Sequence, residues 1–553
     1  MKQFETLAQI FRNSVVEFGD LKMSMYSDGA PGYTFAEFGK VCEQTSDLLS
    51  AYGIGNQDKV ALLSGSCINW AVAFFSSVAY NRVIVPILPD FSENEVTNVL
   101  THSESKVLFV SDRLLSKVSE DCRKALKLII DITTLKPIYI DGKPLEEGAA
   151  LPGAGASALE SPLQEPQADN LAALIYTSGT TGKAKGVMLT QRNITHNVLE
   201  AYHFYPIGTK DVMLSILPLA HTYELSLGLI YPFATGACVA YMTKKPTPSA
   251  LKEALPVVRP TAMLTVPMII EKVYKGVVIP KVKKSKTLSF VNKHFHTLFC
   301  RMAGKEILRY FGGRLKFFGI GGAKLDVDVE KFLKKARFPY YIGYGLTECA
   351  PLLSGCSYKN TVPGGIGKPF YGVQMRLDNV NPETGEGEIV AIGPNIMPGY
   401  YNDPERTADA FTEDGWFRTN DLASVDRKGR FSIKGRLNNM ILGPSGENIY
   451  PEEIEKVIKD QEGVAEAIVI ERNKKLIALI ELADGFVADV ENFKKKLLST
   501  VNSKVAGSSK IGEAQIMKEP FIKTATQKIR RFLYKDSAPT IEESQKKDAD
   551  SKN

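Results

Sequence analysis

Apolar and polar positions follow two recurring patterns from the N-terminus to about residue 430. Short apolar runs, such as Lys106–Val110 and Leu171–Tyr176, predict buried strands, and longer amphipathic stretches such as Asn193–Phe204 predict helices. Buried strands separated by helices are typical of largely parallel sheets. The pattern therefore predicts the α/β fold class, with a large N-terminal domain of layered α/β subdomains.

The pattern changes near Gly435. Pro451–Lys459 is predicted to be helical, with a proline in the first turn, where proline is tolerated. Ala465–Glu471 and Lys475–Glu481 predict a hairpin, and a helix is predicted from Val490. We therefore predict a large domain over residues 1–436, a small α+β domain over 437–535 and a disordered tail over 536–553.

Two uncharged runs, Val60–Asn81 and Leu225–Thr243, are long enough to be considered as membrane spans. Both contain several polar, glycine or proline residues, so we predict a buried strand followed by a core helix from Ile68 in the first run, and no span in either. The first residues have no basic segment followed by an apolar one, so no signal peptide is expected.

The composition is that of a globular protein, and the cysteine pattern is typical of a reducing compartment. The chain has 553 residues, 44% apolar and 24% charged, with a net charge of +6. These values exclude a mostly disordered chain or a collagen-like repeat. Seven cysteines without a CxxC pair fit free thiols better than a disulfide framework or a zinc site.

The positive charge is concentrated in residues 271–316, which hold twelve Lys/Arg and two Asp/Glu. Apolar residues are interleaved with the basic ones, including Phe290, Phe295 and Leu298. Such a segment is either a solvated helical face or a surface that contacts an anionic membrane. Nucleic-acid binding is not expected, because no recognition motif accompanies the charge.

The segment from Thr177 to Gly186 carries the clearest chemistry. It reads Thr-Ser-Gly-Thr-Thr-Gly-Lys-Ala-Lys-Gly and lies between the apolar runs Leu171–Tyr176 and Val187–Thr190. Glycines let the backbone approach an anion, and hydroxyls, lysines and backbone N–H groups bind it. The spacing is not that of a Walker A loop, because Ala184 follows the Gly-Lys pair. The alternative is a polar surface hairpin.

Seven further segments follow this loop. Together with the loop they resemble eight motifs, in the same order, of the adenylate-forming superfamily, which includes acyl-CoA synthetases, peptide-synthetase adenylation domains and luciferases. The resemblance covers about residues 10–535. The segments after the loop are Leu217–His221, Gly321–Ala323 with Tyr344–Glu348, Gly387–Tyr400, Trp416–Asp421, Lys434–Arg436, Gly446–Ile454 and Thr524–Lys528.

The resemblance implies a ligase that uses ATP and Mg²⁺, with CoA as co-substrate. A carboxylate and ATP form an acyl-adenylate and pyrophosphate, and a thiol then attacks the mixed anhydride to give a thioester and AMP. It also implies that the small domain, 437–535, is mobile and rotates between the two half-reactions, and that the large domain binds AMP and the acyl group.

The resemblance assigns catalytic roles to four residues. Glu348 is the Mg²⁺ ligand, Thr347 donates a hydrogen bond to the α-phosphate, and His221 lies near the substrate carboxylate. Lys528 stabilises the negative charge that develops between the carboxylate oxygen and the α-phosphate.

The remaining implied site residues bind the nucleotide, serve the second step or form the hinge. Tyr344 stacks on adenine, Asp421 accepts hydrogen bonds from the ribose hydroxyls, and Arg436 adds a charged contact nearby. Asn438 takes the hinge position, and Gly446 and Glu447 belong to the CoA step. The other ATP/AMP-binding positions are Thr177, Ser178, Gly179, Thr180, Thr181, Gly182, Lys183, Gly322, Ala323 and Gly345.

Three positions depart from the usual family pattern. Ala184 stands where the family usually has proline, and Asn438 stands where the hinge is usually Asp or Lys. Asn420 replaces the glycine of the ribose motif. Asparagine tolerates left-handed backbone geometry, so we expect the ribose motif to work with this residue.

The subgroup of the superfamily is predicted from Glu224 and from two segments of the chain. Glu224 is out of register with the Asp that binds the amino group in peptide-synthetase domains, whereas 266–275 and 442–453 resemble long-chain acyl-CoA synthetases. We therefore expect a long-chain fatty acid–CoA ligase in the cytoplasm, with peripheral contact of 271–316 at the inner membrane face as a further expectation. The alternatives are an acyl–acyl carrier protein ligase and a non-catalytic nucleotide-binding relative.

Overall fold

A computed structural model of the protein describes residues 2–146, 159, 161–178, 184–442, 448–472, 475–486, 489–523 and 529–534. The chain divides into two compact units. The first contains Met1–Arg376, Val390–Thr419 and Val425–Ser432, and the second contains Leu377–Ile389, Asn420–Ser424 and Ile433–Asn553. The predicted tail over 536–553 lies outside the described residues.

An eight-stranded sheet of the first unit contains the segment predicted to bind phosphate. Four of its neighbouring strand pairs are parallel, and the two strands at the end form an antiparallel hairpin, here called the phosphate hairpin (Leu171–Ser178 and Ala184–Thr190). The apolar runs are buried as predicted. The order across the sheet is Lys143–Pro144, Lys136–Ile140, Leu128–Asp131, Val107–Val110, Lys59–Leu63, Val83–Ile87, Leu171–Ser178 and Ala184–Thr190.

In the second sheet, the six strands from Ser24–Tyr26 across to Tyr340–Gly345 are parallel. The next strand, Leu352–Ser357, pairs antiparallel with Tyr340–Gly345. In the first unit its order is Ser24–Tyr26, Cys238–Tyr241, Val212–Ser215, Ala262–Thr265, Phe317–Ile320, Tyr340–Gly345, Leu352–Ser357 and Gly365–Pro369. Four further strands each have residues in both units: Gln374–Asp378, Gly387–Ile392, Phe417–Val425 and Phe431–Arg436. Helices alternating with these strands confirm the predicted α/β class.

Helices of the first unit cover the sheets with their apolar sides. Ile68–Val78 is almost wholly buried, which confirms the predicted core helix, and no helix of the described chain has the length and apolar composition of a membrane span. The α-helices are Leu7–Glu17, Phe35–Ala51, Ile68–Val78, Glu93–Ser103, Asp112–Leu115, Glu120–Ala125, Gln191–Phe204, Thr222–Glu224, Tyr231–Ala234, Pro248–Val258, Pro267–Val273, Ile279–Lys284, Lys286–His294, His296–Tyr310, Val327–Ala336 and Pro404–Asp409.

Two π-helical segments, Leu225–Ile230 and Tyr274–Val278, interrupt this regular pattern. A wider turn of this kind is rare and is often found at functional sites. The apolar run Leu225–Thr243, considered above as a membrane span, forms three short elements. They are the π-helix Leu225–Ile230, the helix Tyr231–Ala234 and the strand Cys238–Tyr241.

The second unit contains a three-stranded sheet, Val464–Arg472, Lys475–Leu482 and Glu513–Ile516, with the helices Pro451–Lys459 and Val490–Asn502. The first two strands are antiparallel, which confirms the predicted hairpin. Alternate residues face two separate cores, because successive side chains of a strand point to opposite faces. The remaining elements are the strands Ile441–Leu442 and Asn448–Ile449 and the 3₁₀ turns Leu437–Asn439, Gly507–Ser509 and Arg531–Tyr534.

Candidate active site

The phosphate hairpin holds both ends of the predicted phosphate loop. Thr177 pairs with Lys185, and Ser178 pairs with Ala184. The buried hydroxyl of Thr177 has no hydrogen-bond partner among the described residues. A buried hydroxyl without a partner is costly, so this group fits a ligand oxygen that would complete it. Five predicted loop residues lie outside the described chain: Gly179, Thr180, Thr181, Gly182 and Lys183.

Backbone hydrogen bonds tie the second strand of the hairpin to residues 399–401. The N–H of Met188 donates to the carbonyl of Gly399 at 3.1 Å, and the N–H of Tyr401 donates to the carbonyl of Gly186 at 2.8 Å. Gly186 is packed so closely that a Cβ atom there would lie 3.2 Å from the ring of Tyr176. This pairing brings the segment around residue 400 beside the end of the hairpin.

An ion pair joins the hairpin to the predicted magnesium ligand. Lys185 Nζ lies 2.7 Å from Glu348 Oε1 and donates to the Tyr400 hydroxyl at 2.7 Å. The Tyr400 hydroxyl donates in turn to the same oxygen of Glu348 at 3.0 Å. The ammonium also lies 4.4 Å from the centroid of the Tyr400 ring. Three side chains from distant parts of the sequence therefore form one closed network.

This network keeps Glu348 ionised although its side chain is buried. Burial alone raises the pKa of the carboxyl, but the charge and hydrogen bond of Lys185, with the hydrogen bond of Tyr400, lower it overall. Mg²⁺ is bound by one or two carboxylates together with substrate phosphates, so one ionised carboxylate fits a magnesium ion that arrives with a nucleotide. Among the described residues no group of three or more His, Cys, Asp and Glu could hold a metal ion.

Buried amides hold the 3₁₀ turn Thr347–Cys349, which carries Glu348. Asn197 donates to the carbonyl of Cys349 at 2.9 Å and accepts from the N–H of Leu352 at 2.9 Å. Asn395 donates to the same carbonyl at 3.2 Å and to the carbonyl of Leu352 at 2.6 Å. These four hydrogen bonds hold residues 349–352 in one backbone conformation, although the buried Oδ1 of Asn395 has no hydrogen-bond partner among the described residues.

His221 lies at the start of the short helix Thr222–Glu224, where its Nδ1 accepts a hydrogen bond from the N–H of Tyr223 at 3.3 Å. The ring of Tyr223 lies against the end of strand Phe317–Ile320. A Cβ on Gly319 would lie 3.0 Å from the Tyr223 hydroxyl, and one on Gly321 would lie 3.1 Å from its ring. The glycines thus leave room for Tyr223, which keeps the helix that begins at His221 beside the predicted adenine motif.

The predicted adenine-binding residues follow or end neighbouring parallel strands. Gly322 and Ala323 come after one strand, and Tyr344 and Gly345 end the next, so all four lie at the same edge of the sheet. Gly322 has φ +82°, which favours glycine. A Cβ on Gly345 would lie 1.8 Å from the carbonyl oxygen of Pro351, so no larger residue fits there.

The predicted ribose residues meet in the second unit. Arg436 Nε lies 2.9 Å from Asp421 Oδ1, and the Asp421 side chain is buried. Asn420 has φ +58°, and its N–H donates to Glu388 Oε1 at 3.0 Å. Asparagine therefore adopts the left-handed geometry that we expected it to tolerate in place of glycine.

The predicted hinge residue, Asn438, is exposed in the 3₁₀ turn Leu437–Asn439. Its neighbour Asn439 donates to Glu452 Oε1 at 2.7 Å. Gly446, Glu447 and Lys528 lie outside the described residues.

Three residues of this site were given no role from the sequence: Tyr400, Asn197 and Asn395. Lys185 was expected only to add positive charge to the phosphate loop, and its contact with Glu348 was not predicted. Lys185 and Tyr400 lie inside recognised motifs, so their position was a signal that they are close to the site. Asn395 lies inside the recognised segment Gly387–Tyr400, whereas Asn197 lies outside the segments that carry chemistry. Their hydrogen bonds to residues 349–352 join parts of the chain that no local pattern connects.

The fold matches solved structures along nearly the whole chain. ATP-bound MatB from Rhodopseudomonas palustris is 22% identical, with a TM-score of 0.75, over 96% of this chain and 99% of that protein. O-succinylbenzoate CoA synthetase MenE from Bacillus subtilis, solved with its acyl-adenylate intermediate, is 21% identical, with a TM-score of 0.76, over 96% and 98%. The chain thus has the fold of the adenylate-forming enzymes.

Residues 11–401 match the family described as AMP-binding enzyme, and the chain belongs to that family. It is similar to the long-chain-fatty-acid–CoA ligase FadD15 of Mycobacterium bovis, at 29% identity over 83% of this chain and 78% of the relative. It is also similar to a chloroplastic long-chain-fatty-acid–[acyl-carrier-protein] ligase of Arabidopsis thaliana, at 25% identity over 96% and 85%. Long-chain-fatty-acid–CoA ligase 1 of Saccharomyces cerevisiae is 27% identical over 77% and 69%.

Proposed function

We propose that this protein is a long-chain fatty acid–CoA ligase, which forms an acyl-adenylate from a fatty acid and ATP and then transfers the acyl group to CoA. The observation that supports it best is the network of Lys185, Glu348 and Tyr400 beside the phosphate hairpin. It provides an ionised, buried carboxylate next to a segment suited to polyphosphate. The names of the FadD15 and yeast relatives support the choice of substrate.

The residues of the first unit act on the phosphates. The Thr177 hydroxyl and the hairpin N–H groups bind phosphate oxygens, and Thr347 donates a hydrogen bond to the α-phosphate. Glu348, oriented by Lys185 and Tyr400, would hold Mg²⁺, which when bound neutralises charge on the phosphates and so assists release of pyrophosphate. His221 orients the substrate carboxylate.

In the second unit, Asp421 accepts hydrogen bonds from the ribose hydroxyls, and Arg436, which forms an ion pair with it, orients its carboxylate. Lys528 stabilises the charge that builds up as the carboxylate attacks the α-phosphate, and Asn438 absorbs the backbone change between half-reactions. Gly446 and Glu447 serve the CoA step.

The direct test supplies the full-length protein with ATP, Mg²⁺, CoA and an equimolar mixture of short-, medium- and long-chain fatty acids. Mass spectrometry should detect acyl-CoA mainly from the long chains, together with AMP. Glu348→Gln should lower the rate by about 100-fold or more, whereas the exposed control Glu405→Gln should not change it. Acyl-CoA mainly from short chains, or none from any acid, would contradict the proposal.

A second candidate is an acyl–acyl carrier protein ligase, favoured by the Arabidopsis relative, which the chain matches over 96% of its own length. Replacing CoA with a phosphopantetheinylated carrier protein in the same assay separates the two. Faster turnover with the carrier protein at equal concentration would favour this second candidate.

A further inference from the structure

Two consecutive helices of the first unit, Lys286–His294 and His296–Tyr310, expose apolar side chains at the corner where they meet. We call this the corner surface and define its apolar part as four residues. Each is about half exposed: Phe290 at 58%, Phe295 at 57%, Leu298 at 53% and Met302 at 49%. Four large apolar side chains exposed within residues 290–302 are not the scattered single residues of an ordinary surface, and such a concentration is typical of a surface that binds a partner or a membrane.

The buried side of the same helix shows that this exposure does not come from loose packing. Phe299, Cys300 and Ile307 of His296–Tyr310 lie in the apolar core with the sheet and helix Val327–Ala336. Leu298 and Met302, one helical turn apart, occupy the opposite face. The helix is therefore anchored by one face and presents the other outward.

The stretch of chain that carries the corner surface is strongly basic, and the exposed acid that follows it on the same helix, Glu306, forms an ion pair with Arg309. Nine Lys/Arg and no Asp/Glu occur from Lys272 to Lys305. Lys293, Arg301 and Lys305 are exposed, and in the part of the chain that the structure describes none of the three forms an ion pair. Their charge is therefore available to a partner.

We propose that the corner surface docks the protein onto an anionic lipid surface. The four apolar side chains would enter the boundary between headgroups and acyl chains, and the basic residues would contact anionic headgroups. An acidic protein would satisfy the charges but would not require half-exposed phenylalanines in the midst of them. The inference goes beyond the proposed reaction, since it concerns where the protein binds and not what it catalyses.

The test is co-sedimentation of the purified full-length protein with vesicles, which requires no turnover. Binding is expected to vesicles containing phosphatidylglycerol, weakly or not at all to pure phosphatidylcholine, and it should fall as salt is raised. Lys293→Glu/Arg301→Glu/Lys305→Glu should lower the partition coefficient on the order of 100-fold, from roughly fivefold or more for each residue reversed.

Two further variants separate the surface from total charge. Lys40→Glu/Lys210→Glu/Lys428→Glu makes the same charge change at exposed positions elsewhere and should bind vesicles nearly as the unaltered protein does. Phe295→Ser/Leu298→Ser should lower binding while the net charge is unchanged. Circular dichroism confirms that each variant is folded.

Three outcomes would overturn the inference. One is an unaltered protein that does not bind anionic vesicles. Another is a triple charge reversal at the corner that binds as tightly as its control. The third is a corner variant that keeps vesicle binding but loses binding to acidic carrier protein, which would assign the surface to a protein partner.

Discussion

Two buried glutamates of the first unit have opposite pKa shifts because only one of them has a cation beside it. Lys185 lies against Glu348 and lowers its pKa despite burial. Burial raises the pKa of Glu224 to about 8, and the hydrogen bond from Ser215 at 2.6 Å only partly opposes this. At pH 7 Glu348 is therefore charged and available to a metal ion, whereas Glu224 is mostly neutral.

The neutral state of Glu224 predicts a specific pH dependence of stability. Its folded pKa of about 8 exceeds the ordinary value of 4.5, so the folded state binds more protons between these two pH values. Stability relative to Glu224→Gln should be highest below pH 4.5 and should fall, by up to about 5 kcal/mol, as pH rises to 8. Denaturant unfolding of both proteins across this range measures the difference. Curves that stay parallel would contradict the prediction.

Lys185 is predicted to set the acidic limb of the pH–rate profile. Lys185→Met removes the cation that holds Glu348 ionised, so the pKa of Glu348 should rise and the acidic limb should move to higher pH. The rate at pH 7 should fall by about 10-fold or more and partly recover at higher pH. Lys106→Met, which breaks a more exposed ion pair with Asp58, is the control and should change neither quantity. If the acidic limb does not move in Lys185→Met, Lys185 does not set the pKa of Glu348, and the prediction is wrong.

At the scale of elements, the two π-helical segments differ in how tightly they are packed. In Leu225–Ile230, a Cβ on Gly228 would lie 2.6 Å from the carboxyl carbon of Glu224. In Tyr274–Val278, a Cβ on Gly276 would meet no atom within 4 Å. The glycine of the first segment therefore leaves room for the buried carboxyl, while that of the second is not needed for space.

The pair predicts opposite results for one substitution. Gly228→Ala should destabilise the protein by about 1–3 kcal/mol, because the carboxyl or the helix must move. Gly276→Ala should be neutral or should stabilise it by up to about 1 kcal/mol, because alanine has the higher helix propensity. Thermal unfolding of both variants tests this. Equal losses in both would mean that the contact at Gly228 has no energetic weight.

Regular elements could be predicted from the sequence because their signals are local. Pro451–Lys459 has the predicted bounds, and the hairpin after it was predicted to within a residue or two at each strand end. The π-helix Leu225–Ile230 could not be predicted, since its leucines alternate with Ser226 and Gly228, which is the period of a strand and not of a helix. In the site, Asp421 and Arg436 lie beside each other, and their roles toward the ribose stay predictions. The contact of Lys185 with Tyr400 spans 215 positions, and no local pattern carries such a pairing.

For the whole molecule, the implied site residues belong to two compact units. Thr347, Glu348 and the phosphate hairpin lie in the first, whereas Asp421, Arg436 and Lys528 belong to the second. A reaction in two steps can use this division, because a residue needed only for the first step can be carried by a unit that moves before the second.

Lys528→Ala tests this division of labour. It should abolish adenylate formation, because the charge on the attacking carboxylate and α-phosphate loses its counterion. It should leave thioester formation from added acyl-adenylate and CoA within a few-fold of normal. Lys510→Ala, an exposed lysine of the same unit, should affect neither step. Equal loss of both half-reactions would contradict the assignment.

The measurement that tests the central claim most directly is ATP–pyrophosphate exchange without CoA, across acetate, medium- and long-chain fatty acids, aromatic acids and amino acids. Exchange isolates adenylation from the choice of acceptor thiol. The account predicts exchange that requires Mg²⁺, is greatest with long-chain fatty acids and is lost in Glu348→Gln. Exchange greatest with an amino acid or an aromatic acid would contradict the proposed substrate, and no exchange with any acid would contradict adenylation of these carboxylates itself.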